Sequence, residues 1–161
     1  MALIGVLAAC GPQEEKTAPG DDVIAQTLWD HFQGARHWQS PEGWDGLPAS
    51  TLEAEGEHGA YTEIRMNRLA AGTIGGDVLP GGVLVTADYD EDGETLLQWT
   101  AMKKIPGYDP DNDDWFWARY SPEGEVKLKG TLNDCIYCHL NGTDLVYSAW
   151  LTPSAALDTG R

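Results

Sequence analysis

Val83-Leu84-Val85-Thr86-Ala87-Asp88-Tyr89, followed by Asp90-Glu91-Asp92-Gly93 and then by the run from Thr95 to Lys104, decides the fold. Gly81-Gly82 opens the first run, whose β-branched and apolar residues suit a strand. The acidic segment ending in Gly93 suits a hairpin turn that returns the chain alongside it. Strands joined so tightly must be antiparallel. Toward the N-terminus, Ala60, Thr62, Ile64 and Met66 alternate with Tyr61, Glu63, Arg65 and Asn67, the period of a half-buried strand. Toward the C-terminus, a loop with Pro106, Gly107 and Pro110 leads to a strand at Trp115–Tyr120. Ser121-Pro122-Glu123-Gly124 then turns into another at Val126–Lys129.

Before the strands, Pro19-Gly20-Asp21-Asp22 supplies a stop and N-cap candidates. Ile24, Leu28 and Phe32 then recur at helical spacing until Gly34. From Arg36 to Pro48 the apolar residues are mainly Trp38 and Trp44 among Gly, Pro and Ser, which reads as an irregular loop. The expected architecture is α+β: an antiparallel sheet of about five strands with helices before and after it. A chain of 161 residues with 42% apolar content is long enough for one such domain, expected over residues 21–161.

The chain carries 26 acidic and 10 basic side chains, a formal net charge of -16. Such a surface repels phosphate backbones and anionic headgroups, so no nucleic-acid partner is expected. It either steers a basic partner protein, through a field that salt weakens, or serves solubility alone.

Only three cysteines are present, so no disulfide framework is available. One of them, Cys10, ends Leu7-Ala8-Ala9-Cys10, a lipobox-like sequence after a short apolar run. Residues 1–9 therefore read as a lipoprotein signal segment, although no Lys or Arg precedes the run. Cys10 reads as the lipidated mature N-terminus, the chain's only contact with a membrane. Residues 10–20 read as a flexible tether, and the domain is expected on the periplasmic side of a bacterial membrane.

The other two cysteines stand in Cys135-Ile136-Tyr137-Cys138-His139. C-x-x-C-H is the attachment sequence of haem c: each thiol adds to one vinyl group, and the histidine that follows directly lies beneath the iron as its ligand. Asn133 or Asp134 is expected to cap the short C-terminal helix carrying all three residues. Three other readings stand beside one covalent haem, and the first, buried and inert cysteines, would not explain the adjacent histidine. A zinc site needs four ligands, and the only imidazoles to recruit are the distant His31, His37 and His58. A redox dithiol of the thioredoxin kind belongs beside a parallel βαβ unit, which this pattern lacks.

With these residues in view, the sequence resembles the cytochrome P-460 family, including the related cytochromes c-prime-beta, over roughly residues 60 to 150. The resemblance rests on Tyr61-Thr62-Glu63-Ile64-Arg65, Gly82-Val83-Leu84-Val85, Met102-Lys103-Lys104-Ile105-Pro106-Gly107-Tyr108-Asp109-Pro110 and Asp114-Trp115-Phe116-Trp117-Ala118-Arg119-Tyr120. It continues through the haem motif to Asp144-Leu145-Val146-Tyr147. It implies a homodimer, a twisted antiparallel sheet and a high-spin haem whose distal face is mostly open. It also implies that Arg65 stands near the haem, as a hydrogen-bond donor to a bound ligand and the catalytic helper; the alternative is a surface ion pair. Enzymes of the family carry a lysine cross-linked to the haem for hydroxylamine oxidation, and Thr86 stands in its place here. The resemblance thus implies binding of nitric oxide or a related nitrogen oxide, with or without redox conversion as an oxidoreductase.

The alternative function is electron transfer by a six-coordinate haem. For the sixth iron ligand the thioethers available are Met66 and Met102, and the imidazoles are His31, His37 and His58. Both methionines fit inward positions of their strands and read as core. The histidines lie in loop-like or helix-end sequence and read as exposed. Asp88, Asp90, Asp92 and Gly93 resemble the start of a calcium loop, and Asp109, Asp111 and Asp113 form a second acidic cluster. Both read as solvated turns, since neither has the closing glutamate.

Overall fold

The computed structural model of the protein describes residues 16–34, 49–51, 57–73 and 75–146. Cys10, His37, Trp38, Trp44, Tyr147 and Trp150 lie outside them, as does the signal segment at 1–9. In chain order the elements are α1 (Asp21–Gly34), β1 (Ala49–Thr51), β2 (Tyr61–Met66), α2 (Arg68–Ala71), β3 (Val83–Tyr89), β4 (Leu96–Lys104), β5 (Trp115–Tyr120), β6 (Val126–Gly130) and α3 (Asn133–His139). The five strands β2 to β6 form an open antiparallel sheet in sequential order, and the three-residue β1 adds to the β2 edge. The fold is α+β, with three α-helices among the described residues and consecutive hairpins.

Strand alternation divides the side chains between two cores. Met66, Leu84, Met102 and Trp117 are paired across four adjacent strands and point to one face. There they bury against Ala70 of α2, Val78, Leu132, Ile136 of α3 and the Leu145-Val146 segment. Val85, Ala101 and Ala118, one residue out of phase, point to the other face and pack with Phe116 and Tyr120 against Ala25, Leu28 and Phe32 of α1. The central strands β3 and β5 are buried on both sides, which accounts for their nearly continuous apolar sequence.

Local chemistry fixes the ends. The Asp21 carboxylate, almost wholly buried, accepts from Ala18 N at 2.6 Å and from the Tyr108 hydroxyl at 3.0 Å, tying the start of α1 to the loop before β5. Lys16 and Thr131 form an antiparallel bridge beyond β6. Residues 16–20, expected as part of the tether, therefore bond to the domain, because the backbone leaving β6 has polar groups that need partners. In the β3–β4 turn the Asp92 carboxylate accepts from Glu94 N at 2.8 Å and Thr95 N at 2.7 Å, so its oxygens serve the hairpin itself. Asn133 and Asp134, expected as caps, stand inside the first turn of α3, with Leu132 at the N-cap position. Asp134 there suits the positive end of the helix.

Candidate functional site

Helix α3 brings Cys135, Cys138 and His139 onto the Trp115/Trp117 face of the sheet. Its one buried side chain, Ile136, enters that core, while Cys135 is half-buried and Cys138 exposed. Neither thiol is in a disulfide. Burial pushes the Cys135 thiol up to about 11, against the lowering influence of Arg119. The sheet beside the two thiols is antiparallel throughout, so it does not supply the parallel βαβ unit of a thioredoxin-like pair.

The His139 ring packs edge-on against Trp117, with centroids 5.0 Å apart, and its Nδ1 lies 2.7 Å from the Leu145 carbonyl oxygen. A carbonyl can only accept, so Nδ1 carries the proton and Nε2 the lone pair. Burial is the main influence that lowers the His139 pKa, and the hydrogen bond to the Leu145 carbonyl opposes it. The imidazole is thus held neutral and oriented, the state in which histidine ligates a metal.

The Leu145 carbonyl is held in place by a buried network. Lys104 forms an ion pair with the Asp144 carboxylate, only 3% exposed, and lies over the Trp115 ring. Asp144 also accepts from Val78 N at 2.6 Å, and its backbone carbonyl accepts from Trp115 Nε1 at 2.9 Å. Asp144 and Leu145 both adopt left-handed backbone angles, φ 51° and 57°, which such anchoring stabilises. The return is tight enough that a Cβ on Gly142 would lie 2.6 Å from the Val146 carbonyl carbon. Gly142→Ala is therefore expected to lower stability by about 1–3 kcal/mol, read as the urea midpoint, by pushing the carbonyl off His139.

The same sheet face changes character toward the other end of its strands. Thr62, Thr86, Asp88, Gln98, Thr100 and Arg119 occupy the in-phase positions beyond the apolar ones. Asp88 is fully buried and accepts from Thr62 Oγ1 at 2.6 Å and from Gln98 Nε2 at 3.2 Å, while both its oxygens lie 3.2 Å from His58 Nδ1. Thr86 Oγ1 lies 2.6 Å from Thr100 Oγ1 and 3.4 Å from His58 Nδ1. The rings of His58 and His139 stand 6.2 Å apart, centroid to centroid. Arg119 pairs with Glu57, the residue before His58, at 2.8 Å.

Other residues singled out in the sequence lie elsewhere. Arg65 is paired with Glu63 at the surface and aligned with Val85 and Ala101, so it belongs to the face opposite His139. Arg119 lies on the His139 face. Met66 and Met102 are buried among the aromatic and aliphatic side chains of the core. His31 sits exposed on α1, across the sheet. Sequence reasoning did not pick out Asp88 as a buried acid or His58 as its partner. The available signal was parity: Asp88 follows Leu84 and Thr86 at inward positions, and an inward aspartate needs partners.

The residues present suit a bound haem on three counts. Both thiols and an oriented imidazole share one helix, apolar surface lies beside them, and the indole Nε1 of Trp117 is buried without an acceptor among the described residues, as a carboxylate or other acceptor on a bound group would require. No three His, Cys, Asp or Glu side chains converge as a metal-ligand cluster among the described residues. No described helix is long and apolar enough to cross a membrane. No protein-family model matches the chain, and no curated protein matches it either.

Proposed function

We propose that the chain is an exported mono-haem c-type cytochrome, with one haem held by Cys135 and Cys138 and its iron ligated by His139. The carrying observation is His139: a neutral imidazole, oriented by the Leu145 carbonyl, on the seven-residue helix that bears both cysteines. Haem, when bound, supplies a redox-active iron. The chain's own residues would hold it through the thiols, set the imidazole and exclude water with Trp115, Trp117 and Met102. Cys10 would carry the lipid that keeps the domain on the periplasmic side of a membrane.

Two uses of that iron are proposed. The resemblance to cytochromes P-460 and c-prime-beta supports binding of nitric oxide or a related nitrogen oxide at an open face, with redox conversion in an enzymatic version. Arg65, offered by the resemblance as its catalytic helper, is engaged with Glu63 on the other face, so that version would draw its polar help from around His58 and Arg119. The second use, electron transfer to a basic partner protein, is favoured by the position of His58. The resemblance also supports a homodimer, and sedimentation of the full chain tests it.

An optical spectrum of the holoprotein, oxidised and reduced, with and without nitric oxide, separates the uses. A high-spin spectrum that shifts with the gas supports ligand binding. A low-spin spectrum unmoved by it supports electron transfer, and absence of a haem spectrum removes both.

A further inference from the structure

We infer that His58 is the second protein ligand of the metal bound by His139, with Asp88 as its positioning residue. This rests on the reading of His139 as a haem-iron ligand and opposes an open distal face.

The loop bearing His58 is built against the sheet. Gln98 Nε2 donates to the Glu57 carbonyl, Arg119 holds the Glu57 carboxylate, and Ala60 N donates to Tyr89 O at 2.9 Å. Gly59 has φ +67°, and a Cβ there would lie 2.4 Å from the Tyr89 carbonyl oxygen, so only glycine lets the loop come so close. These contacts aim one side chain, the His58 imidazole, over the face that carries His139.

Both imidazoles are prepared in the same way. His139 gives its Nδ1 proton to a carbonyl, and His58 directs Nδ1 at a carboxylate, so each presents the Nε2 lone pair. A metal-ligating histidine characteristically uses its other nitrogen in this manner. Their separation agrees: two imidazoles sharing one ion, each nitrogen about 2 Å from it, place their ring centroids roughly 6 Å apart, and here the distance is 6.2 Å. A fully buried Asp88 serving a half-exposed surface histidine would be an expensive arrangement with no return. Held to a ligand, the same carboxylate strengthens the imidazole as a donor. No third protein ligand converges there among the described residues, so the remaining positions would come from a group with its own donors, as the four nitrogens of a porphyrin are.

The test uses the full chain produced with its haem. Wild type is expected to be low-spin in both oxidation states, with the near-infrared charge-transfer band of bis-histidine ligation. His58→Ala is expected to turn high-spin and to regain the low-spin spectrum when imidazole is added. Asp88→Asn is expected to stay low-spin with a raised midpoint potential, an effect that lost packing alone would not give. A wild type that holds haem but is high-spin, or a His58→Ala spectrum identical to wild type, overturns the inference and leaves the haem reading intact. A folded wild type without haem overturns both. The wild-type spectrum decides even where His58→Ala fails to fold.

Discussion

Asp144→Ala is expected to lower stability by about 3–5 kcal/mol, because it strands the Lys104 ammonium in a site where its side chain is only 14% exposed. The loss reaches further than the ion pair. Val78 N would lose its acceptor, and the left-handed turn at Asp144 and Leu145 would lose the group that fastens it to β4. The urea midpoint measures the stability, and replacing Lys104→Met together with Asp144→Leu should recover part of it, since a buried charge is no longer left alone. Full recovery is not expected, because leucine cannot accept from Val78 N. A change below 1 kcal/mol in the single variant would show that Asp144 does not anchor the turn behind His139.

Cys135→Ser combined with Cys138→Ser is expected to abolish covalent haem while leaving the fold nearly intact. Serine is close to cysteine in size, Cys138 is exposed, and Cys135 packs only partly against the core. A hydroxyl adds to a vinyl group far less readily than a sulfur nucleophile does, so thioether attachment has no substitute. Haem-dependent staining after denaturing electrophoresis reads the result, with circular dichroism as the folding control. Each single variant should retain attachment through one thioether, in lower yield. Staining of the double variant equal to wild type would mean that haem is held elsewhere.

The sheet was legible because its signals are local. Alternation in Tyr61–Met66 and the acidic hairpin between β3 and β4 mark strands without reference to the rest of the chain. Helix α1 was equally plain, since Ile24, Leu28 and Phe32 keep helical spacing up to Gly34. The three-residue β1 was not, because so short a strand carries no period. The four-residue α2 was missed for the same reason. It is held by a single side chain, Asn67, which accepts from Ala70 N at 3.0 Å and from Val83 N at 3.1 Å.

The site was legible only along α3, where contiguous residues carry the chemistry. Its opposite wall comes from residues distant in sequence. His58 lies among Glu and Gly in a segment that reads as solvated, and Asp88 looked like the first acid of an exposed cluster. Register joins them, since Thr62 opposes Asp88 and Asp88 opposes Gln98 across three strands. Arg65 is the reverse case: its phase opposite to Ile64 and Met66 puts it on the other face of the sheet.

Haem attachment itself is tested most directly by the intact mass and absorbance of the full chain, purified under denaturing conditions from a host that carries c-type haem attachment machinery. The chain is expected to be heavier by one haem, whose absorbance stays with the polypeptide after unfolding and is absent when Cys135 and Cys138 are both serine. A folded chain of unmodified mass from that host, with no absorbance in the haem region, would contradict it.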